Sequence, residues 1–333
     1  MTEHTNQANQ DERTAGESQL LGAADVRRIA GESDISPTKK FGQNFVIDPG
    51  TVRRIVREAG VTAHSRVLEV GPGLGSLTLA LLETGAHVTA VEIDPSLAQR
   101  LPETVAQFMP DTVDHFTVIR GDALNLSPET LPEYAPTGSQ SDDSFMLVSN
   151  LPYNVATPIL LTLLERFDNL DRFLVMVQKE VADRLAAKPG SKIYGTPSVK
   201  LAWYGRAERV GLVGRNVFWP IPNVDSALVS FVRYANAENT NEAKKDTNGS
   251  DAAGLPYTTG TARPISPINV EVDREQVFQL IDTAFGQRRK TLHAALKKLV
   301  PEEAFKSAGI DPTRRGETLT ISEFAALAGA LQA

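Results

Sequence analysis

The residues with the most specific chemistry in this 333-residue sequence are Asn150-Leu151-Pro152-Tyr153, which directly follow an apolar run. The side-chain oxygen of Asn150 and the carbonyl of Leu151 could accept the N–H groups of an exocyclic amine, which would free the lone pair of its nitrogen. Pro152 has a fixed φ and would hold these acceptors rigidly, and the ring of Tyr153 offers a face on which a base can stack. The alternative reading is a turn that ends a strand.

A glycine turn and a later acid are typical of a site for an adenosine-containing ligand. Gly71, Gly73 and Gly75 follow an apolar run, so the turn has little side-chain bulk and a ligand could approach its backbone. Their spacing differs from the G-x-G-x-x-G of dinucleotide sites. The next apolar run, residues 87–94, ends in acid, and Glu92 could accept both hydroxyls of a ribose. Taken singly, the glycines also fit an ordinary tight turn between a strand and a helix, and Glu92 also fits a solvated carboxylate at the end of a strand.

Two further positions could contact such a ligand. Asp122 follows a third apolar run and could accept from the exocyclic amine of an adenine, or it could cap a turn, as Asp often does. Residues 39–46 place two lysines before an aromatic–Gly–amide–amide–aromatic run, which is too short and irregular for a strand. The amides of this run could bracket the polar edge of a ligand; an ordinary loop over a core edge is the competing reading.

The elements that would position these residues are short buried strands that alternate with helices. Apolar runs predict strands at 67–70, 87–94, 115–119 and 145–149. The spacing of apolar residues predicts helices at 23–30, 49–59, 76–82, 95–108, 274–285, 290–298, 302–308 and 321–331. Because the carboxyl ends of parallel strands meet at one edge of a doubly wound sheet, we expect the candidate residues to lie together there.

Length and composition favour two domains in a cytosolic protein without a metal site. The chain has no cysteine, five scattered histidines, no run of 18 apolar residues and a polar start without the apolar segment of a secretory signal. The formal net charge is −7, yet residues 171–234 carry ten Lys and Arg against five Asp and Glu. A basic face there, together with Arg288-Arg289-Lys290, could bind the phosphates of a nucleic acid.

Taken in order, residues 69–75, 91–94, 121–123 and 150–153 resemble the motifs of class I S-adenosylmethionine-dependent methyltransferases. Residues 41–45, 178–181, 218–226 and 285–291 narrow the resemblance to the rRNA adenine N6-dimethyltransferases, and within them to the KsgA/RsmA family of small-subunit enzymes. The resemblance covers about residues 38–232 and 273–331. It implies an α/β fold with a Rossmann-like, mostly parallel, doubly wound sheet, followed by a small all-α C-terminal domain.

The resemblance implies S-adenosylmethionine as the cofactor and gives roles to single residues. Glu92 would hold its ribose, Asp122 its adenine amine, and Asn150 would lie between the cofactor and the target base. Gly71 would meet the methionine portion. The full set of implied cofactor-binding residues is Asn44, Val46, Gly71, Gly73, Glu92, Asp122 and Asn150.

The implied catalytic residues are Asn150, Leu151, Pro152, Tyr153 and Phe218. Phe218, in an F-x-P-x-P-x-V-x-S motif, would close a flat slot opposite Tyr153, as an extruded base requires; the alternative is a core aromatic beside Trp219. The sulfonium methyl would pass in line to the N6 nitrogen, so positioning and acceptors for the developing ammonium would matter more than a strong base. Transfer of a second methyl group is implied by the resemblance alone.

The predicted organisation is a polar, mostly mobile leader at 1–37, a methyltransferase domain at 38–234, a polar linker at 235–270 and a helical RNA-binding domain at 271–333. The predicted RNA-binding residues are Lys188, Lys192, Lys200, Arg288, Arg289 and Lys290. The last three would stand at the start of a helix, where the helix dipole repels cations and an external phosphate would be favoured. A solvated charged face is the alternative.

The implied function is N6,N6-dimethylation of two adjacent adenosines in a hairpin loop near the 3′ end of 16S rRNA. The partner would be this rRNA in the small ribosomal subunit or its precursor, and the enzyme would be a cytoplasmic monomer. One alternative is the related enzyme type that modifies 23S rRNA and confers macrolide resistance. A second is a ribosome-assembly factor that acts mainly by binding. A dinucleotide oxidoreductase is disfavoured by the glycine spacing and by Asn150-Leu151-Pro152-Tyr153.

Overall fold

A computed structural model describes residues 20–33, 35, 43–136, 143–235 and 263–332. The strands of this part of the chain are β1 (Phe45–Val46), β2 (Arg66–Val70), β3 (His87–Glu92), β4 (Phe116–Arg120), β5 (Phe145–Asn150), β6 (Leu170–Gln178), β7 (Gly205–Val213), β8 (Phe218–Trp219) and β9 (Ser226–Arg233). The α-helices are α1 (Ala23–Glu32), α2 (Pro49–Ala59), α3 (Ser76–Leu82), α4 (Pro95–Phe108), α5 (Ala156–Arg166), α6 (Lys179–Leu185), α7 (Thr196–Tyr204), α8 (Arg274–Gly286), α9 (Leu292–Leu296), α10 (Glu302–Ser307) and α11 (Ile321–Gly329). None of these helices is long and apolar enough to cross a membrane.

Seven strands form one sheet in the order β4-β3-β2-β5-β6-β9-β7. The first five strands are parallel, and β9 is antiparallel to both β6 and β7. From β2 the chain proceeds outward through β3 and β4, then returns to the other side of β2 and continues through β5 and β6. The order therefore reverses between β2 and β5, which is the place where doubly wound sheets bind ligands. This topology confirms the predicted fold class.

Alternating side chains of the central strands divide the core into two layers. Val67, Met146 and Val148 face one layer with helices α1 to α4, whereas Leu68 and Leu147 face the other with α5 and α7. This period of two is the geometry of a strand that is covered on both faces. The sheet is thus a rigid support, and the loops at its carboxyl edge are free to carry the site.

The predicted strands occur within one or two residues of their expected bounds, whereas β6, β7 and β9 were not predicted. The expectation that residues 39–46 contain no strand is wrong, because Phe45–Val46 pairs antiparallel with Phe218–Trp219. The partner lies far away in the chain, so local irregularity could not reveal this pairing. Residues 39–42 of this segment lie outside the described residues.

The predicted leader is corrected in its second half. Helix α1 occurs where a helix was expected, and Val26 and Ile29 on it are fully buried in the first core layer. Residues 20–33 therefore belong to the folded domain. Residues 1–19, and most of the predicted linker (236–262), lie outside the described part.

The four C-terminal helices share a third core with residues of the sheet domain. Tyr194 and Val199 pack among them, and the hydroxyl of Tyr194 donates to the carbonyl of Leu319 at 2.9 Å. Helix α9 begins two residues later than predicted because the side chain of Thr291 caps it, accepting from the N–H of Ala294. The basic cluster at 288–290 consequently precedes the helix and is not part of it.

Candidate active site

A cavity of about 220 Å³ opens at the carboxyl ends of β2, β3 and β5, at the point where the strand order reverses. Its wall contains every predicted cofactor-binding residue and four of the five predicted catalytic residues. These residues are Asn44, Val46, Gly71, Gly73, Glu92, Asp122, Asn150, Leu151, Pro152 and Tyr153. They are drawn from five separate segments, and only the parallel sheet brings them together.

The glycine turn after β2 leaves no room for side chains. Gly71 and Gly73 have φ values of 71° and 61°, which L side chains rarely adopt. A Cβ on Gly73 would lie 2.9 Å from the ring of Phe45, and one on Gly71 would meet the ring of Pro152 at 3.4 Å. The turn thus forms a bare backbone cradle between the β1 loop and the Asn150–Tyr153 segment.

Glu92 ends β3 beside this cradle and is 4% exposed. One carboxylate oxygen accepts the N–H of Gly73 at 3.2 Å, and the other accepts the N–H of Asp94 at 3.0 Å. Each oxygen retains a lone pair, so the carboxylate could still accept two neighbouring hydroxyl groups. Burial raises the pKa of Glu92, and these amide hydrogen bonds oppose that rise.

Asp122 has the capping role that the sequence offered as an alternative, and it also lies in the cavity wall. Its Oδ1 caps a short 3-10 turn by accepting the N–H of Leu124 at 2.9 Å, and the residue also lines the cavity. The cap fixes the orientation of the carboxylate in the cavity wall. A rigid acceptor at this place suits a flat base that carries an exocyclic amine.

Asn150 ends β5, and only the nitrogen of its side-chain amide has a hydrogen-bond partner among the described residues. Its Nδ2 donates to the carbonyl of Asn44 at 3.3 Å, which links β5 to the loop before β1. Its Oδ1 is buried and has no hydrogen-bond partner among the residues that the structure describes. Because buried polar atoms are nearly always paired in native proteins, an unpaired acceptor in a cavity wall indicates a ligand donor.

Tyr153 is held in place by its hydroxyl, which lies 2.9 Å from the hydroxyl of Ser226 at the start of β9. The peptide before it is also fixed, since the N–H of Leu151 donates to the carbonyl of Met176 at 3.0 Å. Burial raises the pKa of Tyr153, so the phenol is neutral in the physiological range. The ring is therefore a fixed, uncharged wall of the cavity.

The predicted position of Phe218 is wrong. Its ring is 1% exposed, belongs to the first core layer, and is absent from the cavity wall. Pairing of Phe218 with Val46 turns this side chain into the core, so the alternative of a core aromatic is the one observed. Neighbouring Trp219 is half-buried and stacks on Phe45, with ring centroids 6.3 Å apart.

Glu69 is a cavity residue that belongs to the motif at 69–75 but for which the sequence predicted no role. It is 1% exposed, lines the cavity from β2, and accepts a hydrogen bond from the hydroxyl of Thr78 at 2.7 Å. Burial raises its pKa to about 8. A carboxyl at an inward-facing position just before a glycine turn was the available signal.

The six predicted RNA-binding cations separate into two groups. Lys188, Lys192, Arg289 and Lys290 are exposed. Lys200 instead forms an ion pair with Asp282 at 2.9 Å and lies 5.0 Å from the centre of the Phe278 ring, which ties α7 to α8. Arg288 bonds to Glu317 at 2.8 Å and to the carbonyl of Lys192, so it braces two loops against each other.

A doubly wound sheet with this strand order, a glycine cradle and an acid at the end of the next strand defines a Rossmann-like S-adenosylmethionine-dependent methyltransferase. Comparison with known families matches residues 36–245 to the model described as "Ribosomal RNA adenine dimethylase". The chain belongs to this family, which confirms the predicted enzyme class.

Curated relatives support the small-subunit branch of the family. The chain is 69% identical over 331 residues to "Ribosomal RNA small subunit methyltransferase A" of Bifidobacterium adolescentis, covering 99% of this chain and 98% of that protein. It is 51% identical to the protein of the same name from Streptomyces griseus, over 93% and 94% of the two chains. These matches favour the predicted function, 16S rRNA adenine dimethylation, over the 23S rRNA alternative.

Solved structures share the fold at lower identity. A dimethyladenosine transferase from Plasmodium falciparum aligns with a TM-score of 0.61 at 21% identity, over 85% of this chain and 95% of its own. The 23S rRNA methyltransferase ErmE aligns with a TM-score of 0.58 at 24% identity, over 87% and 100%. At this level of identity the two structures support the architecture alone.

Proposed function

We propose that this protein transfers methyl groups to N6 of two adjacent adenosines in a hairpin loop near the 3′ end of 16S rRNA, during maturation of the small subunit in the cytoplasm. The observation that carries the proposal is the buried, unpaired Oδ1 of Asn150 in the cavity wall. An exocyclic amine supplies the N–H donor that this oxygen lacks. Dimethylation, monomeric state and location are proposed from family membership.

The residues of the cavity fit S-adenosylmethionine by charge as well as by shape. Glu69, Glu92 and Asp122 line it, and none of the described lining residues is Lys, Arg or His. Such a wall favours a ligand with positive charge and disfavours the diphosphate of a dinucleotide, which argues against the oxidoreductase alternative. We assign Glu92 to the ribose and Asp122 to the adenine amine.

The bound cofactor supplies an electrophilic methyl group on a positively charged sulfur. This chain orients the amine that attacks it. Asn150 and the Leu151 carbonyl accept its two N–H groups, and Tyr153, fixed by Ser226, provides the face on which the extruded base stacks. Because these acceptors are held before the base arrives, they stabilise the ammonium as it forms without reorganisation.

For RNA contact we propose the exposed cations Lys188, Lys192, Arg289 and Lys290. They come from the α6–α7 loop and the α8–α9 turn, which Arg288 holds together through Glu317 and the Lys192 carbonyl. This bracing places the basic residues of two domains on neighbouring loops. Lys200 and Arg288 are not part of the proposed contact surface.

The test is methyl transfer from labelled S-adenosylmethionine to small and large ribosomal subunits from cells that lack the modification, with the product nucleosides identified by mass spectrometry. We expect N6,N6-dimethyladenosine on the small subunit only. Label on the large subunit would overturn the proposal in favour of the 23S type. Binding to the small subunit without any label would overturn it in favour of an assembly factor.

A further inference from the structure

Glu69 lines the cavity, but no specific contact with the ligand has been assigned to it. It lies two residues before Gly71 on β2, and its carboxyl is within the wall although the residue is only 1% exposed. Thr78 donates to its Oε2 at 2.7 Å, and no other described residue forms a hydrogen bond with this carboxyl. Its second oxygen therefore has no hydrogen-bond partner among the described residues.

The elements around Glu69 offer it no positive charge. Helix α3, which carries Thr78, and strand β5 contain no charged residue, and the described part of the β1 loop that lines the cavity contains none. The titratable groups that share the cavity with Glu69 are the carboxyls of Glu92, from β3, and Asp122, after β4, and the neutral phenol of Tyr153, after β5. A carboxylate in this position is without a counter-ion until a ligand brings one.

We propose, on the basis of the proposed function, that Glu69 makes the site select its ligand by charge. The carboxyl of Glu69 holds its proton in the free protein, releases it to bulk water when a ligand with a cationic sulfur binds, and takes one up when that ligand is replaced by its neutral thioether product. The O–H bond that breaks leaves a carboxylate, which is neutralised by the ligand cation. Glu69 thereby favours the methyl donor over the spent product.

The direction of the proton change follows from burial. Burial raises the pKa of Glu69 to about 8, against the smaller opposing effect of the Thr78 hydrogen bond, and the carboxyl of Glu92 raises it further. At pH 6.5 the free protein therefore carries the proton on Glu69. A cation placed beside the carboxyl favours the ionised form and lowers its pKa, so binding must release a proton.

The proposal is tested by measuring the number of protons released when the ligand binds. The measurement is calorimetric titration at pH 6.5 in two buffers of different ionisation enthalpy. At this pH the α-amino groups of both ligands remain protonated. We expect release of close to one proton more with S-adenosylmethionine than with S-adenosylhomocysteine. Between pH 6 and 7 the dissociation constant for the methyl donor should fall by up to about tenfold, whereas that for the product should change little.

Glu69→Gln is the matched variant, since it keeps the hydrogen bond from Thr78 but cannot ionise. It should abolish the difference in proton release and bind the two ligands with similar pH dependence. Equal proton release with both ligands in the wild-type protein overturns the inference, and this result does not depend on the variant folding. Failure to bind S-adenosylmethionine at all would overturn the proposed function and this inference with it, whereas binding without the proton difference overturns the inference alone.

Discussion

The hydroxyl groups of Tyr153 and Ser226 lie 2.9 Å apart, although the two residues are separated by 73 positions in the chain. This contact connects the segment after β5 with the first residue of β9 across intervening strand β6. It fixes the aromatic wall of the cavity to the sheet. The final serine of the F-x-P-x-P-x-V-x-S motif thus supports the site, whereas its first residue, Phe218, is buried in the core.

We expect Tyr153→Phe to keep the stacking face and lose only the anchor to Ser226. Methyl transfer should fall by less than about tenfold, since a single neutral hydrogen bond contributes about 1 kcal/mol. Tyr153→Ala should reduce it further, because base stacking contributes about 1–3 kcal/mol. Single-turnover rates with small subunits would check the order. Equal losses in the two variants would show that the ring face is not used.

Asn150→Ala should reduce methyl transfer by about 10²–10³-fold, the usual cost of removing one preorganised group that stabilises developing charge. The dissociation constant for S-adenosylmethionine should change little, because the proposed role of Oδ1 is on the acceptor amine. Asn125→Ala is a matched control, since Asn125 is exposed and outside the cavity wall. Unchanged turnover in Asn150→Ala, with normal thermal stability in both variants, would contradict the assignment.

The double substitution Arg289→Ala and Lys290→Ala should weaken binding to the small subunit and flatten its salt dependence. Each lost phosphate contact should reduce the slope of log K against log salt by roughly 0.7–0.9. Lys297→Ala with Lys298→Ala removes the same charge from exposed positions just after α9 and should leave the slope nearly unchanged. Equal slopes for the two double variants would mean that Arg289 and Lys290 are only solvated.

Lys200→Ala should lower stability and leave the salt dependence of RNA binding unaltered. Its side chain is 17% exposed, and its ammonium pairs with Asp282 and lies over the ring of Phe278, so the loss should be about 1 kcal/mol or somewhat more. Lys179→Ala removes a more exposed lysine, which pairs with Asp183 within one helix, and should cost less. Urea unfolding of both variants gives the comparison; a reduced salt slope in Lys200→Ala would reverse our assignment.

Glu69 should also make the stability of the protein depend on pH. Its pKa of about 8 in the folded state lies above the ordinary value, so the folded state holds a proton that the unfolded state has lost. The free energy of unfolding should therefore fall as pH rises from about 4.5 to 8, by on the order of 1 kcal/mol per pH unit. Urea titrations of the wild type and Glu69→Gln at pH 5, 6.5 and 8 should diverge with rising pH. Parallel curves would show that Glu69 is ionised throughout.

The sequence by itself determined many of the local elements of this protein and most of the residues that line its candidate site. Helix α2 was predicted at its observed bounds from the spacing of its apolar residues, and Asp48 and Gly60 cap its two ends. The glycine turn, Glu92, Asp122 and Asn150-Leu151-Pro152-Tyr153 were predicted because each depends on residues that are close together in the chain. Parallel topology then required their strand ends to meet at one edge.

Tertiary structure decided the outcomes that depend on distant partners. Phe218 is buried because β8 pairs with β1, and Lys200 and Arg288 are engaged because α8 and the loop that carries Glu317 approach them. Burial raises the pKa of Glu69, and this burial cannot be inferred from residue type and spacing. The propensity for a helix, strand or turn depends on neighbouring residues, whereas burial and ion pairing depend on parts of the chain that meet only after folding.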